Sequence, residues 1–185
     1  MICHHCSNIG LTHLLFKTNS NFRPATEADA PAMADLLNRI IETGGTTAHQ
    51  SRFDASRMLG HYIAPPLAIS CFVAVLEGEV IGFQALELAD PDWQGDGKLP
   101  DGWAVIATFV GEGHRGLGIG RGLFALTLAA ARAAEVVAID ATIRADNALG
   151  LGYYAQMGFA DHAVISDVPL RDGTRIDRVQ KVIWL

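Results

Sequence analysis

The stretch GEGHRGLGIGRGLF, residues 111–124, decides the fold. Six of its first twelve residues are glycine. Glycine costs about 1 kcal/mol relative to alanine inside a helix. A strand-like run, WAVIATFV, precedes the segment at 103–110, and a helix-forming run rich in Leu, Phe and Ala follows it. Strand, glycine loop and helix together predict an anion site, because the free N–H groups at a helix start point outward.

Two common phosphate motifs do not fit this segment. The P-loop requires Lys and Ser/Thr after its second glycine, where this chain has Ile119 and Gly120. The dinucleotide fingerprint requires Gly-x-Gly-x-x-Gly in an early βαβ unit, whereas these glycines alternate late in the chain. Asp140 lies about twenty residues after these glycines, at the distance where that fingerprint needs an acid for the ribose. From the residues alone, a glycine-rich turn without a ligand stays open as the alternative.

The hydrophobic pattern along the chain predicts the element order β-α-α-β-β-β-α-β-α-β-β, which is an α/β fold built on a mixed sheet. Thr26 and Asp29 form a capping-box-like pair before the first helix. Residues 1–21 have no clean periodicity and are predicted to be a flexible extension, and residues 22–185 a single domain. The predicted strands are 21–24, 70–78, 80–88, 103–110, 136–143, 161–168 and 175–184, and the predicted helices are 26–41, 55–62, 123–134 and 147–157.

Composition limits the function. The chain has 185 residues and a net charge of −6, and it contains no run of Lys or Arg, which argues against a nucleic-acid partner. No apolar run approaches the ~20 residues needed to cross a bilayer, and no signal-peptide pattern opens the chain. We therefore expect a cytoplasmic protein without a membrane partner. The acidic balance suits a cationic substrate.

The three cysteines do not predict a disulfide framework or a metal site. CHHC, residues 3–6, supplies half of a zinc site, and His13 is a further potential ligand, but no second close pair follows. The c-type haem pattern fails because Ser7 stands where His is required. We expect no specific metal site. Any metal that the extension binds is expected to be adventitious.

Two motifs in order identify a family resemblance. Residues 115–120 read Arg-x-x-Gly-x-Gly, and NALGLGYYAQMGF follows at 147–159. On these motifs the chain resembles the GCN5-related N-acetyltransferase (GNAT) family from about Phe22 to Leu185. The resemblance implies a central, mostly antiparallel sheet flanked by helices, in which the parallel fourth and fifth strands splay apart. It also implies acetyl-CoA as the acyl-donor cosubstrate.

The same resemblance assigns the cofactor contacts. The backbone of Phe109 and Val110 is expected to pair with the pantetheine arm, and Asn147 to contact the same side. Asn147 is also a typical helix N-cap. Tyr154 is expected to lie against the cofactor. The pyrophosphate is expected to bind the N–H groups of Arg115, Gly116, Leu117, Gly118, Ile119 and Gly120.

Acetyl transfer to an amine sets three chemical requirements. The family's acid for the leaving thiolate maps to Tyr154, and Tyr153 is expected to pack. The Val110 N–H is the candidate donor to the developing oxyanion. A base is needed because an alkyl amine has a pKa near 10. Relatives often carry a Glu on the strand before the glycine loop, but WAVIATFV has no carboxylate, so Glu87 is the candidate. The alternatives for the base are His49, His61 and Asp101.

We therefore expect direct attack by a primary amine of a small molecule in a ternary complex. Acceptor choice is expected to come from residues 42–62 and from the polar loop 89–102, whose acids and Trp93 suit a small cationic amine. A wide groove would favour a protein or peptide acceptor, and a narrow pocket closed by 89–102 would oppose it. A non-catalytic acyl-CoA-binding module is the third possibility. Dimers are frequent in the family, so a homodimer is the expected assembly.

Overall fold

The computed structural model describes residues 20–94, 97–170 and 172–185. Residues 1–19, with most of the predicted extension and its CHHC segment, lie outside the described residues, as does Asp96. The strands are β1 (Asn21–Pro24), β2 (Ala68–Leu76), β3 (Glu79–Leu88), β4 (Trp103–Val110), β5 (Ala138–Arg144), β6 (Ala160–Pro169) and β7 (Arg175–Trp184). The helices are α1 (Ala30–Thr43), α2 (Ala55–Met58), α3 (Ile119–Ala133) and α4 (Ala148–Gln156).

The predicted α/β element order is confirmed. Within the described ranges, no helix has both the length and the apolar character that a membrane crossing needs. The second predicted helix differs in detail, because α2 is followed by a wider π-helical turn over Leu59–Ile63. Such turns are frequent at functional sites, and this one carries His61 and Tyr62.

All seven strands form one sheet in the order β1-β2-β3-β4-β5-β7-β6. Neighbouring strands are antiparallel except β4 and β5, which are parallel. This parallel pairing runs from Trp103 opposite Ala138 to Val105 opposite Asp140. Both strands continue beyond that point, but they are no longer paired with one another. The splayed fourth and fifth strands of the predicted GNAT fold are therefore present.

Helices cover both faces of the sheet because side chains alternate along its strands. On one face, α1 and α2 pack over β2–β4 around Met33, Met58 and Phe83, all of them fully buried. On the other face, α3 and α4 contribute Phe124 and Tyr154 to a second core. The region where β4 and β5 separate thus lies between two cores, one beneath α1 and α2 and the other beneath α3 and α4.

The start of α1 is fixed by the predicted capping pair. Asp29 Oδ2 accepts from the Thr26 N–H at 2.8 Å, and a short 3₁₀ turn over Glu27–Asp29 leads into the helix. Arg23 of β1 donates to both carboxylate oxygens of Asp29 at 2.7 Å. This pairing is the main reason that the pKa of Asp29 falls to about 2. The contact ties strand β1 to helix α1.

Candidate active site

The glycine loop opens helix α3 with a left-handed residue. Gly118 is the N-cap with φ of 86°, and Gly116 has φ of 76°, a region that side chains other than glycine rarely occupy. The first intrahelical bond runs from the Gly122 N–H to the Gly118 carbonyl at 3.0 Å. The amides of 119–121 precede it and have no acceptor inside the helix. Their position and the helix dipole favour an anion.

Gly120 and Gly122 of the same segment are also needed for packing. A Cβ added to Gly120 would lie 2.7 Å from the Tyr153 ring, and one added to Gly122 would collide with the ring of Phe22. A Cβ added to Gly116 would meet nothing within 4 Å. The segment therefore combines an open anion cradle with two tight contacts to neighbouring aromatic rings.

The free edge of β4 faces the splay. The Gly111 N–H donates to the Ile81 carbonyl of β3 at 2.9 Å, and peptide groups alternate in direction along a strand. The N–H and C=O of Val110 and Thr108 therefore point away from β3, into the gap beside β5. The same alternation directs the peptide groups of Phe109 towards β3, and the free edge carries those of Thr108 instead. The expected contact of the Phe109 backbone with the cofactor does not match this register and stays a prediction.

The Phe109 side chain belongs to the core beneath α1 and α2. Its ring centroid lies 4.9 Å from that of Phe83 and 5.6 Å from that of Tyr62. This aromatic packing holds the end of β4 where it leaves β5.

Tyr154 reaches from α4 to the splayed part of β4. Its hydroxyl lies 2.9 Å from Thr108 Oγ1, and its ring packs against Phe159 at a centroid distance of 5.0 Å. Complete burial raises the pKa of Tyr154 above its usual value near 10. The phenol is thus protonated at neutral pH, so its O–H can donate one hydrogen bond while its oxygen can accept another.

Tyr153 does more than the expected packing. Its hydroxyl donates to the Gly120 carbonyl at 2.9 Å and lies 3.0 Å from Gln84 Nε2. Burial raises its pKa to about 12. Neighbouring tyrosines of α4 are thereby attached to different parts of the site, Tyr153 to the start of α3 and Tyr154 to β4.

Asn147 caps α4 and also fastens a loop. Its Oδ1 accepts from the Gly150 N–H at 2.9 Å, and its Nδ2 donates to the Thr46 carbonyl at 3.0 Å. Arg144 donates to the next carbonyl, that of Thr47, at 3.4 Å. The loop between α1 and α2 is therefore fastened to the end of β5 and the start of α4.

A cavity of about 150 Å³ lies on the α1/α2 face of the sheet. Its only carboxylate among the described residues is Glu87, and burial raises the pKa of that group. Glu87 lies opposite Val105 in the β3–β4 register, and Ala85 lies opposite Ala107. The lining residues are His61, Tyr62, Pro65, Ala85, Leu86, Glu87, Val105 and Ala107.

The two predicted histidines lie together beside this cavity. Their ring centroids are 5.5 Å apart, and His49 Nε2 lies 2.6 Å from the Tyr62 hydroxyl. Burial lowers the pKa of His49 to about 4, and burial with the charge of Arg57 lowers that of His61. Both imidazoles are therefore neutral at pH 7, and His61 is the one that lines the cavity.

The remaining acids take no part in this geometry. Asp101 is exposed in the turn before β4, and no described residue of the loop 89–102 lines the cavity. The structure thus does not bring the described part of that loop to this cavity. Asp140 is buried in β5, where Gln180 and Thr142 donate to its carboxylate at 2.8 and 3.0 Å. This burial is inconsistent with the ribose-binding acid of a dinucleotide fold.

Sequence reasoning missed Gln84 and Thr108. Both are polar residues inside apolar strands, VIGFQALEL and WAVIATFV. A buried polar group must find a partner, so this was the signal that could have identified them.

The comparisons with known proteins agree with this geometry. A sequence model of the acetyltransferase (GNAT) family matches residues 32–159, and the chain therefore belongs to that family. A sequence comparison with curated proteins finds no significant match.

Solved structures show the same fold. The ribosomal-protein-alanine N-acetyltransferase of Brucella melitensis is 25% identical, with a TM-score of 0.72, over 89% of this chain and 99% of that one. An N-acetyltransferase of Staphylococcus aureus Mu50 is 17% identical, with a TM-score of 0.74, over 90% and 99%. YncA of Salmonella typhimurium, solved with its cofactor acetyl-CoA, is 21% identical, with a TM-score of 0.70, over 90% and 94%. The protein is an N-acetyltransferase that uses acetyl-CoA.

The residues present fit acetyl-CoA. The open space at Gly116, which a Cβ would partly fill, lies beside the unpaired amides that open α3. The unpaired edge of β4 offers the peptide groups of Thr108 and Val110 to an extended amide chain. The two surfaces are continuous along the chain, so one extended ligand can bind both.

Proposed function

We propose that this enzyme acetylates the primary amine of a small molecule by direct attack in a ternary complex. The observation that carries the proposal is the position of the Glu87 cavity beside the splay. Ala107 faces the cavity, its neighbour Thr108 faces Tyr154, and the Val110 N–H points into the gap between β4 and β5. One strand thus carries the acceptor side, the leaving-group side and an oxyanion donor.

Bound acetyl-CoA supplies a thioester carbonyl carbon that an amine can attack. Glu87 accepts a proton from the acceptor ammonium, directly or through a water molecule. Its raised pKa makes the ionised carboxylate a better base than an exposed glutamate. The Val110 N–H donates a hydrogen bond to the carbonyl oxygen as negative charge develops there.

Tyr154 acts as a hydrogen-bond donor to the leaving sulfur. A thiol has an ordinary pKa of about 8.5 and tyrosine one of about 10, and burial raises that of Tyr154 further. Full proton transfer from the phenol to the thiolate is therefore uphill. A charge-assisted hydrogen bond to the sulfur requires no such transfer.

The size and lining of the cavity support a small acceptor. Its volume is about 150 Å³, and its lining is mostly apolar with one carboxylate among the described residues. A single ammonium on a short apolar body matches this chemistry.

A peptide amine is the second candidate. It is favoured by the likeness to the Brucella enzyme, whose name specifies the alanine of a ribosomal protein. A terminal alanine is small enough for the cavity, and the rest of such a chain would extend into solvent.

The experiment is a screen for CoA release from acetyl-CoA with alkylamines, arylalkylamines, amino acids, spermidine and an alanyl peptide. The proposal predicts turnover with at least one small primary amine, and a large loss of that turnover in Glu87→Gln. Turnover confined to the alanyl peptide would support the second candidate. His61→Asn tests the neighbouring base, and a loss in that variant with none in Glu87→Gln would reassign the role.

A further inference from the structure

A chain of buried hydrogen bonds lies behind Tyr154 on the α3/α4 side of the sheet. Gln84 Nε2 of β3 is 2.7 Å from Thr108 Oγ1 and 3.0 Å from the Tyr153 hydroxyl. Thr108 Oγ1 is 2.9 Å from the Tyr154 hydroxyl, and Tyr153 donates to the Gly120 carbonyl. The chain joins the first turn of α3 to the hydroxyl of Tyr154.

The directions of the hydrogen bonds made by Tyr153 and Gln84 follow from the Gly120 carbonyl. A carbonyl only accepts, so the single hydroxyl hydrogen of Tyr153 is committed to it. The Tyr153 oxygen must then accept from Gln84, which requires the amide nitrogen of Gln84 to face it. Both hydrogens of that nitrogen are thereby used, one on Tyr153 and the other on Thr108.

The orientation of Gln84 has an energetic cost. The side chain is completely buried, and its Oε1 has no hydrogen-bond partner among the described residues. A buried unsatisfied acceptor costs about 1–3 kcal/mol. An apolar residue would avoid this cost, so stability alone does not account for a glutamine at this position.

The last hydrogen bond of the chain joins Thr108 to Tyr154. Thr108 Oγ1 accepts from Gln84 and keeps its own hydrogen available for its other side-chain partner, the Tyr154 oxygen, and we take this hydrogen bond in the direction from Thr108 to Tyr154. The hydroxyl hydrogen of Tyr154 is then not used by Thr108. Thr108 lies beyond Val105, where β4 has separated from β5, so this hydrogen lies at the splay.

We propose that Gln84, Thr108 and Tyr153 are positioning residues that keep the hydroxyl hydrogen of Tyr154 free for the leaving sulfur of the acyl donor. The inference rests on the proposed function. In the step concerned, the amine nitrogen forms its bond to the carbonyl carbon, and the carbon–sulfur bond breaks with its electron pair on sulfur. Glu87 first passes the proton of the ammonium to solvent and then accepts the second amine proton, and Tyr154 keeps its proton while donating a hydrogen bond to the thiolate.

The test compares Thr108→Val, which keeps the side-chain shape and strand preference but removes the hydroxyl, with Thr108→Ser, which keeps the hydroxyl. The first readout is the pKa of the thiol of bound CoA, followed through the ultraviolet absorbance of the thiolate. We expect Thr108→Val to raise this pKa by about 1, Thr108→Ser to leave it near the wild-type value, and Tyr154→Phe to raise it at least as far. An unchanged value in Thr108→Val would overturn the inference.

The second readout is a double-mutant cycle on kcat with the best amine of the screen. We expect Thr108→Val to lower kcat about tenfold or more, with the KM for acetyl-CoA little changed, and to have no further effect in a Tyr154→Phe background. An equal loss in both backgrounds would overturn the inference, because the threonine would not be acting through Tyr154. Absence of any acetyl transfer by the wild type would instead refute the proposed function, while the CoA titration still tests the network.

Discussion

Val105 of β4 and Asp140 of β5 form the last parallel pair before the two strands separate. Asp140 is buried and is held by Gln180 and Thr142, so β5 is fastened towards β7 at the point where β4 leaves it. The gap beyond this pair leaves the peptide groups of Thr108 and Val110 unpaired. A strand edge that would normally be a liability is thereby left open to an extended ligand, and we propose that this ligand is the acyl donor.

The left-handed cap of α3 gives the first prediction. Gly118→Val places a β-branched residue at a φ of 86°, which costs on the order of 1–3 kcal/mol of strain, and it distorts the amides that open the helix. We expect the variant to lose the rise in Tm that acetyl-CoA produces in the wild type. Gly113→Ala is the matched control, because its Cβ meets nothing within 4 Å. Equal stabilisation of Gly118→Val and wild type would contradict the assignment of this loop.

The second prediction concerns pH. Burial raises the pKa of Glu87 above its ordinary value of 4.5, and the base must be ionised to accept a proton. The kcat/KM for the amine should therefore rise with pH through the raised pKa and then level off. Glu87→Gln should lower kcat/KM at pH 7 by about 10²-fold and remove this rise with pH. Glu79→Gln, an exposed change on the same strand, should have neither effect. If kcat/KM still rises with pH in the same way in Glu87→Gln, Glu87 is not the base.

Much of this fold could be predicted from the chain alone. β4 runs over the predicted residues 103–110, and Thr26 and Asp29 form the predicted cap, because these features depend on local pattern and local hydrogen bonds. The Gln84–Tyr153 and Asn147–Thr46 contacts could not be predicted, since they join residues that are 69 and 101 positions apart. The direction of the Phe109 peptide depends on register with β3, which periodicity leaves open. The proposed roles of Tyr154, Glu87 and Val110 remain predictions.

The two bonds of Asn147 can be separated by substitution. Asn147→Asp keeps the oxygen that caps α4 but loses the donor to the Thr46 carbonyl, whereas Asn147→Ala loses both. We expect Asn147→Ala to cost about 1 kcal/mol of stability and Asn147→Asp much less. Both should raise the KM for the amine several-fold, because the loop that carries His49 is released. A tenfold loss of acetyl-CoA affinity in both variants would instead support the cofactor contact that the family resemblance implies.

The Arg23–Asp29 pair gives a prediction for stability. The pKa of Asp29 is lowered to about 2, so its contribution is complete above the unfolded-state value near 3.8 and is lost as pH falls through 2. Asp29→Asn should cost on the order of 1–2 kcal/mol at pH 7, because Arg23 is partly exposed. The difference in unfolding free energy, measured by urea denaturation, should shrink between pH 4 and pH 2. A difference that does not depend on pH would mean that the ion pair contributes nothing.

The measurement that tests the central claim most directly is a competition for one limiting pool of acetyl-CoA. The wild-type enzyme is given equal concentrations of the best small amine and an alanyl peptide, and both acetylated products are quantified by mass spectrometry. A small acceptor in the Glu87 cavity predicts that most of the acetyl groups appear on the small amine, and that this product falls sharply in Glu87→Gln. Acetyl groups found mainly on the peptide would contradict the account.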